Sequence, residues 1–119
     1  MATVSLVETP VPSLYDNAWI AQWTPLTSVN TIGSSYPMPG ATIKSVQIEG
    51  TFDSATVVLE GSNDGTNWKT LTDPQGNAIS KTAAAIEAIE ENTRYVRPNS
   101  SGGGATQSIT VTLLSRRNK

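Results

Sequence analysis

The chain has 119 residues, 37% of them hydrophobic and only 15% charged, with a formal net charge of −2. It holds no cysteine and no histidine, which excludes disulfides, thiolate chemistry, and the commonest general base and transition-metal ligand. The weak acidic balance leaves no footprint for nucleic acid, and the length fits one domain with a core that needs no staples.

Residues 1–17 read as an extended N-terminal arm, and residues 18–119 as the folded domain. Thr3-Val4-Ser5-Leu6-Val7 suits a short strand. Pro10 and Pro12 then interrupt any ladder, because proline has no N–H to donate. Two readings stand side by side: a loosely held tail, or an arm reaching onto a neighbouring subunit. Val4, Leu6, Val7, Val11 and Leu14 supply apolar anchors that a free tail does not need. The opening residues lack the basic region and apolar core of a secretion signal. No segment is long and apolar enough to span a membrane. The expectation is therefore synthesis in a host cytoplasm and no membrane partner.

Tyr15, Trp19 and Trp23 fall close together. In an extended chain Trp19, Ala21 and Trp23 share one face, and Ala18, Ile20 and Gln22 the other. Trp23 is assigned to the core. Tyr15 and Trp19 stay open between core and a subunit interface, where aromatics are enriched. Residues 27–39 are polar and broken by Gly33, Pro37 and Pro39, so they read as a loop with a short strand near Val29–Ile32. Tyr36 and Met38 are expected to cap the edge.

The clearest patterning begins at Ser45. Val46, Ile48 and Phe52 lie on one face of a strand, with Gln47, Glu49 and Thr51 opposite. Asp53-Ser54 makes a short break, without the glycines such a turn usually carries. Ala55, Val57 and Leu59 resume the alternation. Asn63-Asp64-Gly65 then reverses the chain, and Trp68 opens the return strand. Two hairpins in series predict an antiparallel meander with Trp68 in its core. Trp68 and Leu71 point to opposite faces by simple alternation, so a bulge intervenes or one of them faces outward.

Asp73-Pro74-Gln75-Gly76 fits a type I turn. Residues 83–92 are good helix formers, yet short, and a strand over Ile86–Ile89 is preferred to a single helical turn. A strand over Arg94–Arg97 ends at Pro98, and Asn99-Ser100-Ser101-Gly102-Gly103-Gly104 reads as a flexible loop. It precedes a strand rather than a helix, so it is no phosphate cradle. Ile109, Val111 and Leu113 then alternate with Thr110 and Thr112 in the last strand.

No catalytic constellation emerges. The serines have no histidine beside them, and Lys44, Lys69 and Lys81 are expected in solvent-like positions. Glu87, Glu90 and Glu91 read as a solvated edge rather than a paired-carboxylate site. Asn63 and Asp64 serve the turn before they serve calcium. No enzyme, cofactor or metal is expected.

The segment 45–68, with Thr72-Asp73-Pro74-Gln75-Gly76-Asn77, Arg94-Tyr95-Val96-Arg97-Pro98 and the closing strand to Arg117, resembles a family of small tailed-phage structural proteins. These are capsid decoration, or cement, proteins. The pattern covers most of the chain from Trp23 onward; the N-terminal arm lies outside it. The resemblance implies an all-β antiparallel sandwich of jelly-roll type. It implies a homo-oligomer, dimer or trimer, on the capsid exterior of the virion, bound to the major capsid protein. The partner-interface candidates are Val4, Leu6, Val7, Leu14, Tyr15 and Trp19. The hairpin Gly61–Trp68 is also similar to one in discoidin-like sandwiches that bind sugars or lipids. A ligand-binding module and a phage tail or baseplate subunit are the alternatives.

Overall fold

A computed structural model describes residues 3–10, 18–40 and 43–117. Among the described residues there are twelve strands and no helix. They are β1 (Thr3–Val4), β2 (Leu6–Pro10), β3 (Ala18–Leu26), β4 (Ile32–Gly33), β5 (Tyr36–Pro37), β6 (Ile43–Thr51), β7 (Thr56–Ser62), β8 (Lys69–Thr70), β9 (Ser80–Lys81), β10 (Ala85–Ala88), β11 (Tyr95–Ser101) and β12 (Ser108–Arg116). One sheet runs β10-β6-β12-β3-β2. The other runs β1-β4-β11-β7-β8, with β5 also on β11 and β9 on β7. The two form a sandwich-like, all-β fold.

The period-two sequence builds both inner faces. On β6, Lys44, Val46 and Ile48 are buried while Ile43, Gln47 and Glu49 are exposed. On β12, Ile109, Val111, Leu113 and Ser115 face inward. Against them the other sheet sets Val57, Leu59 and Val96. Trp23 is wholly buried, as expected; its Nε1–H donates to the Ser34 carbonyl at 2.8 Å, which removes the cost of burying the indole N–H. Tyr36 is no edge cap. It meets Trp23 edge-on inside the core, with ring centroids 6.4 Å apart.

Further sequence expectations change. The break at Asp53-Ser54 does not close a hairpin: β6 pairs with β10 and β12, while β7 pairs with β8, β9 and β11 in the opposite sheet. The turn is the crossing between layers, and local alternation reads the same for either connection. Only the second hairpin, β7 to β8, forms as expected. Trp68 is not in the core. Leu71 takes the buried place, and the half-buried Trp68 lies on the outer side under Arg97. The strand at Arg94 does not stop at Pro98 but continues as β11 to Ser101. Ser100 N–H points to Thr31 O on the β4 side. By period two the Pro98 nitrogen points the same way, into the gap between β5 and β4, where no ladder bond is lost. Finally, Lys44 is buried rather than solvent-like.

Residues 85–88 form a strand and not a helical turn, because β6 offers a free edge to pair with. The arm expected over residues 1–17 is represented by residues 3–10, and these pair within both sheets. β1 lies parallel to β4, and β2 antiparallel to β3.

The glycine-rich loop has a packing role. Asp53 and Ser54 adopt φ values of 48° and 72°, a region that costs a side-chain-bearing residue about 1–2 kcal/mol. The conformation is held by hydrogen bonds from Ala55 N to Phe52 O, Gly104 N to Asp53 O and Thr106 N to Asp53 Oδ2. A Cβ on Gly104 would stand 2.4 Å from that carboxylate, so the loop approaches only because it has none.

Candidate interaction surfaces

The outer face of the seven-stranded sheet carries an ordered polar cluster. The Arg97 guanidinium lies 4.1 Å from the centre of the Trp68 ring. Its Nε–H donates to Glu60 Oε1 at 2.9 Å, and Asn99 Nδ2 donates to Glu60 Oε2 at 3.3 Å. Stacking and a charge-assisted bond fix the guanidinium from two sides. Beside it, the hairpin and the residues before β11 enclose an open cavity of about 310 Å³, lined by Asn63, Asn67, Lys69, Thr70, Glu91 and Thr93 among others.

Asp64 sits at the hairpin tip and is fully committed to it. Its carboxylate accepts from Ser62 Oγ, Thr66 N, Asn67 N and Asn67 Nδ2. These bonds, led by the Asn67 and Thr66 amides, hold the carboxyl well below the usual carboxylate range. Such an arrangement builds a turn rather than a calcium ligand. Glu91 behaves similarly: burial pushes its carboxyl up, but hydrogen bonds from Thr72 Oγ1 and N and the charge of Lys44 leave it below its ordinary value.

At one end of the interior the core turns polar. Lys44 and Ser115 lie directly opposite each other on β6 and β12, both buried. The Lys44 ammonium bonds Asn92 Oδ1. Burial lowers its pKa, against the pull of Glu90 and Glu91. A serine facing a lysine of lowered pKa is the skeleton of a nucleophile and its base. Here Ser115 has no exposed surface, so the pair has no opening to a substrate. Nearby Tyr36 donates to Glu8 Oε2 at 2.5 Å, and burial, reinforced by Glu8, pushes the phenol well above its ordinary pKa.

The six interface candidates separate. Val4 belongs to this chain's own core, and Leu6 packs against it. Val7 is exposed on the outer side of β2. Trp19 is half-buried, with Arg117 5.1 Å above its ring. Leu14 and Tyr15 lie outside the described residues. Hence the four described candidates do not fall in one patch.

What the sequence reading missed is the outer face of the five-stranded sheet. Strand register aligns Ile86, Gln47, Thr112, Gln22 and Val7 in one row across β10, β6, β12, β3 and β2. Gln22 Nε2 donates to Thr112 Oγ1 at 3.1 Å within it. The next row is Ala88, Ser45, Leu114, Ile20 and Thr9. Each strand shows this alternation on its own, but strands far apart in sequence become one surface only through pairing.

No family model matches this chain, and no curated protein matches it. Among solved structures, the chain is similar to the SPBc2 prophage-derived protein YomS. That likeness has a TM-score of 0.61 at 14% identity and covers 82% of this chain and 93% of that one. It shows a shared fold. The K1 cleaved adhesin domain of Lys-gingipain from Porphyromonas gingivalis W83 is matched at a TM-score of 0.44 and 12% identity, over 98% of this chain and 85% of that one.

Proposed function

We propose that this chain is a virion structural protein: a decoration, or cement, protein that binds the outside of a tailed-phage capsid and ties major capsid protein subunits together. The observation that carries the reading is the fold shared along most of the chain with a prophage-derived protein, in the region whose residues resemble the phage cement family. The strand order supports a jelly roll. One sheet contains β10-β6-β12-β3 and the other β4-β11-β7-β8, so the chain passes repeatedly between layers and its last strand lies beside its first long one, as two Greek keys do.

The mechanism is surface contact without chemistry. Each copy adds modest buried area, and repetition over a lattice turns modest contacts into large total stabilisation. The role needs no cofactor and no catalytic group. Co-sedimentation of the purified chain with expanded capsids tests the reading, together with copy number per particle. Hundreds of copies on the shell support it; a handful indicates a tail or baseplate part.

The cavity beside the hairpin favours a second reading, a ligand-binding sandwich. Its volume is at the small end for ligand sites. Saturable binding on a glycan array, lost in Lys69→Ala and accompanied by no capsid attachment, would select that reading.

A further inference from the structure

The outer face of the five-stranded sheet differs in character from the rest of the surface. Among the described residues four large aliphatic side chains are exposed: Val7 at 64%, Val29 at 71%, Ile43 at 45% and Ile86 at 65%. Three of the four, Val7, Ile43 and Ile86, are on this face. Half-buried Ile20 and Leu114 continue the apolar surface between them. The described ionisable residues that register places on the face are Glu49 and Arg116, one of each sign. The opposite sheet instead exposes the Arg97, Glu60 and Trp68 cluster. Depletion of charge with retention of aliphatic and small hydroxyl side chains is the composition of a buried interface centre.

From this face we infer that the chain forms a two-fold dimer through the five-stranded sheet, with a second copy of itself as the occupant. The central row reads nearly the same from either edge: Ile86, Gln47, Thr112, Gln22, Val7. A two-fold axis along β12 lays Ile86 on Val7 of the partner, Gln47 against Gln22, and Thr112 against its own copy. Aliphatic meets aliphatic, amide meets amide, and no like charges meet within the row; the one like-charge meeting on the axis, Arg116 with its own copy, falls at the exposed end of β12. This self-matching is what an isologous contact requires. Sheets stack face to face with strands nearly aligned, so the geometry is an ordinary one.

The area is adequate. Three strands of nine residues, β2 of five and β10 of four, about 4.8 Å apart at about 3.4 Å per residue, present roughly 590 Å² per copy, so two copies bury close to the roughly 1,200 Å² at the lower end of stable interfaces. This inference deepens the structural role proposed above and rests on it only for its setting, since the isolated chain suffices to test it.

Sedimentation velocity of the purified chain should show a monomer–dimer equilibrium shifting with concentration. Thr112→Arg puts two like charges on the axis and should weaken self-association at least about tenfold, with an unchanged circular dichroism spectrum. For register, one chain carries Gln22→Lys with Gln47→Lys and another Gln22→Glu with Gln47→Glu. Each alone should be monomeric, and their equimolar mixture should form a heterodimer. A wild-type chain that stays monomeric at every concentration overturns the inference. So does a Thr112→Arg chain that dimerises undiminished, or a charge-swapped mixture that does not associate. Capsid binding by a wild-type monomer would overturn the dimer while leaving the proposed function standing.

Discussion

Arg97 covers Trp68 at 4.1 Å from the ring centre while its Nε–H holds Glu60 at 2.9 Å, and this fixes the largest side chain of the hairpin outside the core. Trp68→Ala should therefore lower stability by only about 1 kcal/mol, the scale of a partly exposed cation–π contact. Trp23→Ala, which empties a site with no exposed surface, should cost about 3–5 kcal/mol. Urea denaturation of the two variants measures both, and a reversed ranking would return Trp68 to the interior.

Ser54 sits at a φ of 72° between the two layers. Ser54→Gly relieves the steric cost of that conformation, about 1–2 kcal/mol, and adds unfolded-chain entropy of about 0.4–1 kcal/mol. The net expectation is a gain near 0.5 kcal/mol, read as a higher denaturation midpoint at unchanged slope. Asp53→Ala should lower the midpoint, since Thr106 N–H loses its acceptor.

Residues 3–10 complete the sandwich, because Val4 is in the core, Leu6 packs on it and Glu8 accepts from Tyr36. Deleting residues 1–10 should destabilise the fold by about 3–5 kcal/mol from lost apolar burial alone. The thermal melt measures it. An unaltered melt combined with lost capsid attachment would instead describe an independent arm.

Gly33 lies against the buried tryptophan: a Cβ there would stand 2.6 Å from both Pro98 Cδ and Trp23 Cδ1. Gly33→Ala should overpack the core and cost about 1–3 kcal/mol. Denaturant unfolding provides the number, and a neutral result would mean that β4 shifts freely away from β11.

Three carboxyls, Asp53, Asp64 and Glu91, are held below their ordinary values by hydrogen bonds. Each therefore binds fewer protons folded than unfolded, so stability rises with pH through their titration. Their contribution is present above the ordinary carboxylate range of about 4 and is lost as pH falls through the lowered values. Tyr36 acts at the other end. Its raised pKa gives stability present below the ordinary phenol value of about 10 and lost as pH rises past it. Lys44 opposes Tyr36, because its burial-lowered pKa adds stability as pH rises through its titration. Denaturation midpoints should therefore fall below about pH 5, with the alkaline loss from Tyr36 partly offset. An acid-side midpoint that holds steady would separate these hydrogen bonds from stability.

Much of this protein follows from residue order. Alternation in residues 45–59 and 108–114 determines strands with one buried face, Asn63-Asp64-Gly65 determines a reversal, and Asp73-Pro74-Gln75-Gly76 a turn closed by the Gly76 N–H on Asp73 O. Tertiary structure alone decided which sheet each strand joined, that Asp53-Ser54 crosses between layers, and that Leu71 rather than Trp68 points inward. It also assembled Ile86, Gln47, Thr112, Gln22 and Val7 into one surface. The physical reason is that period two defines two faces of a strand but neither its partner nor its outward side. Those depend on burial summed over segments distant along the chain.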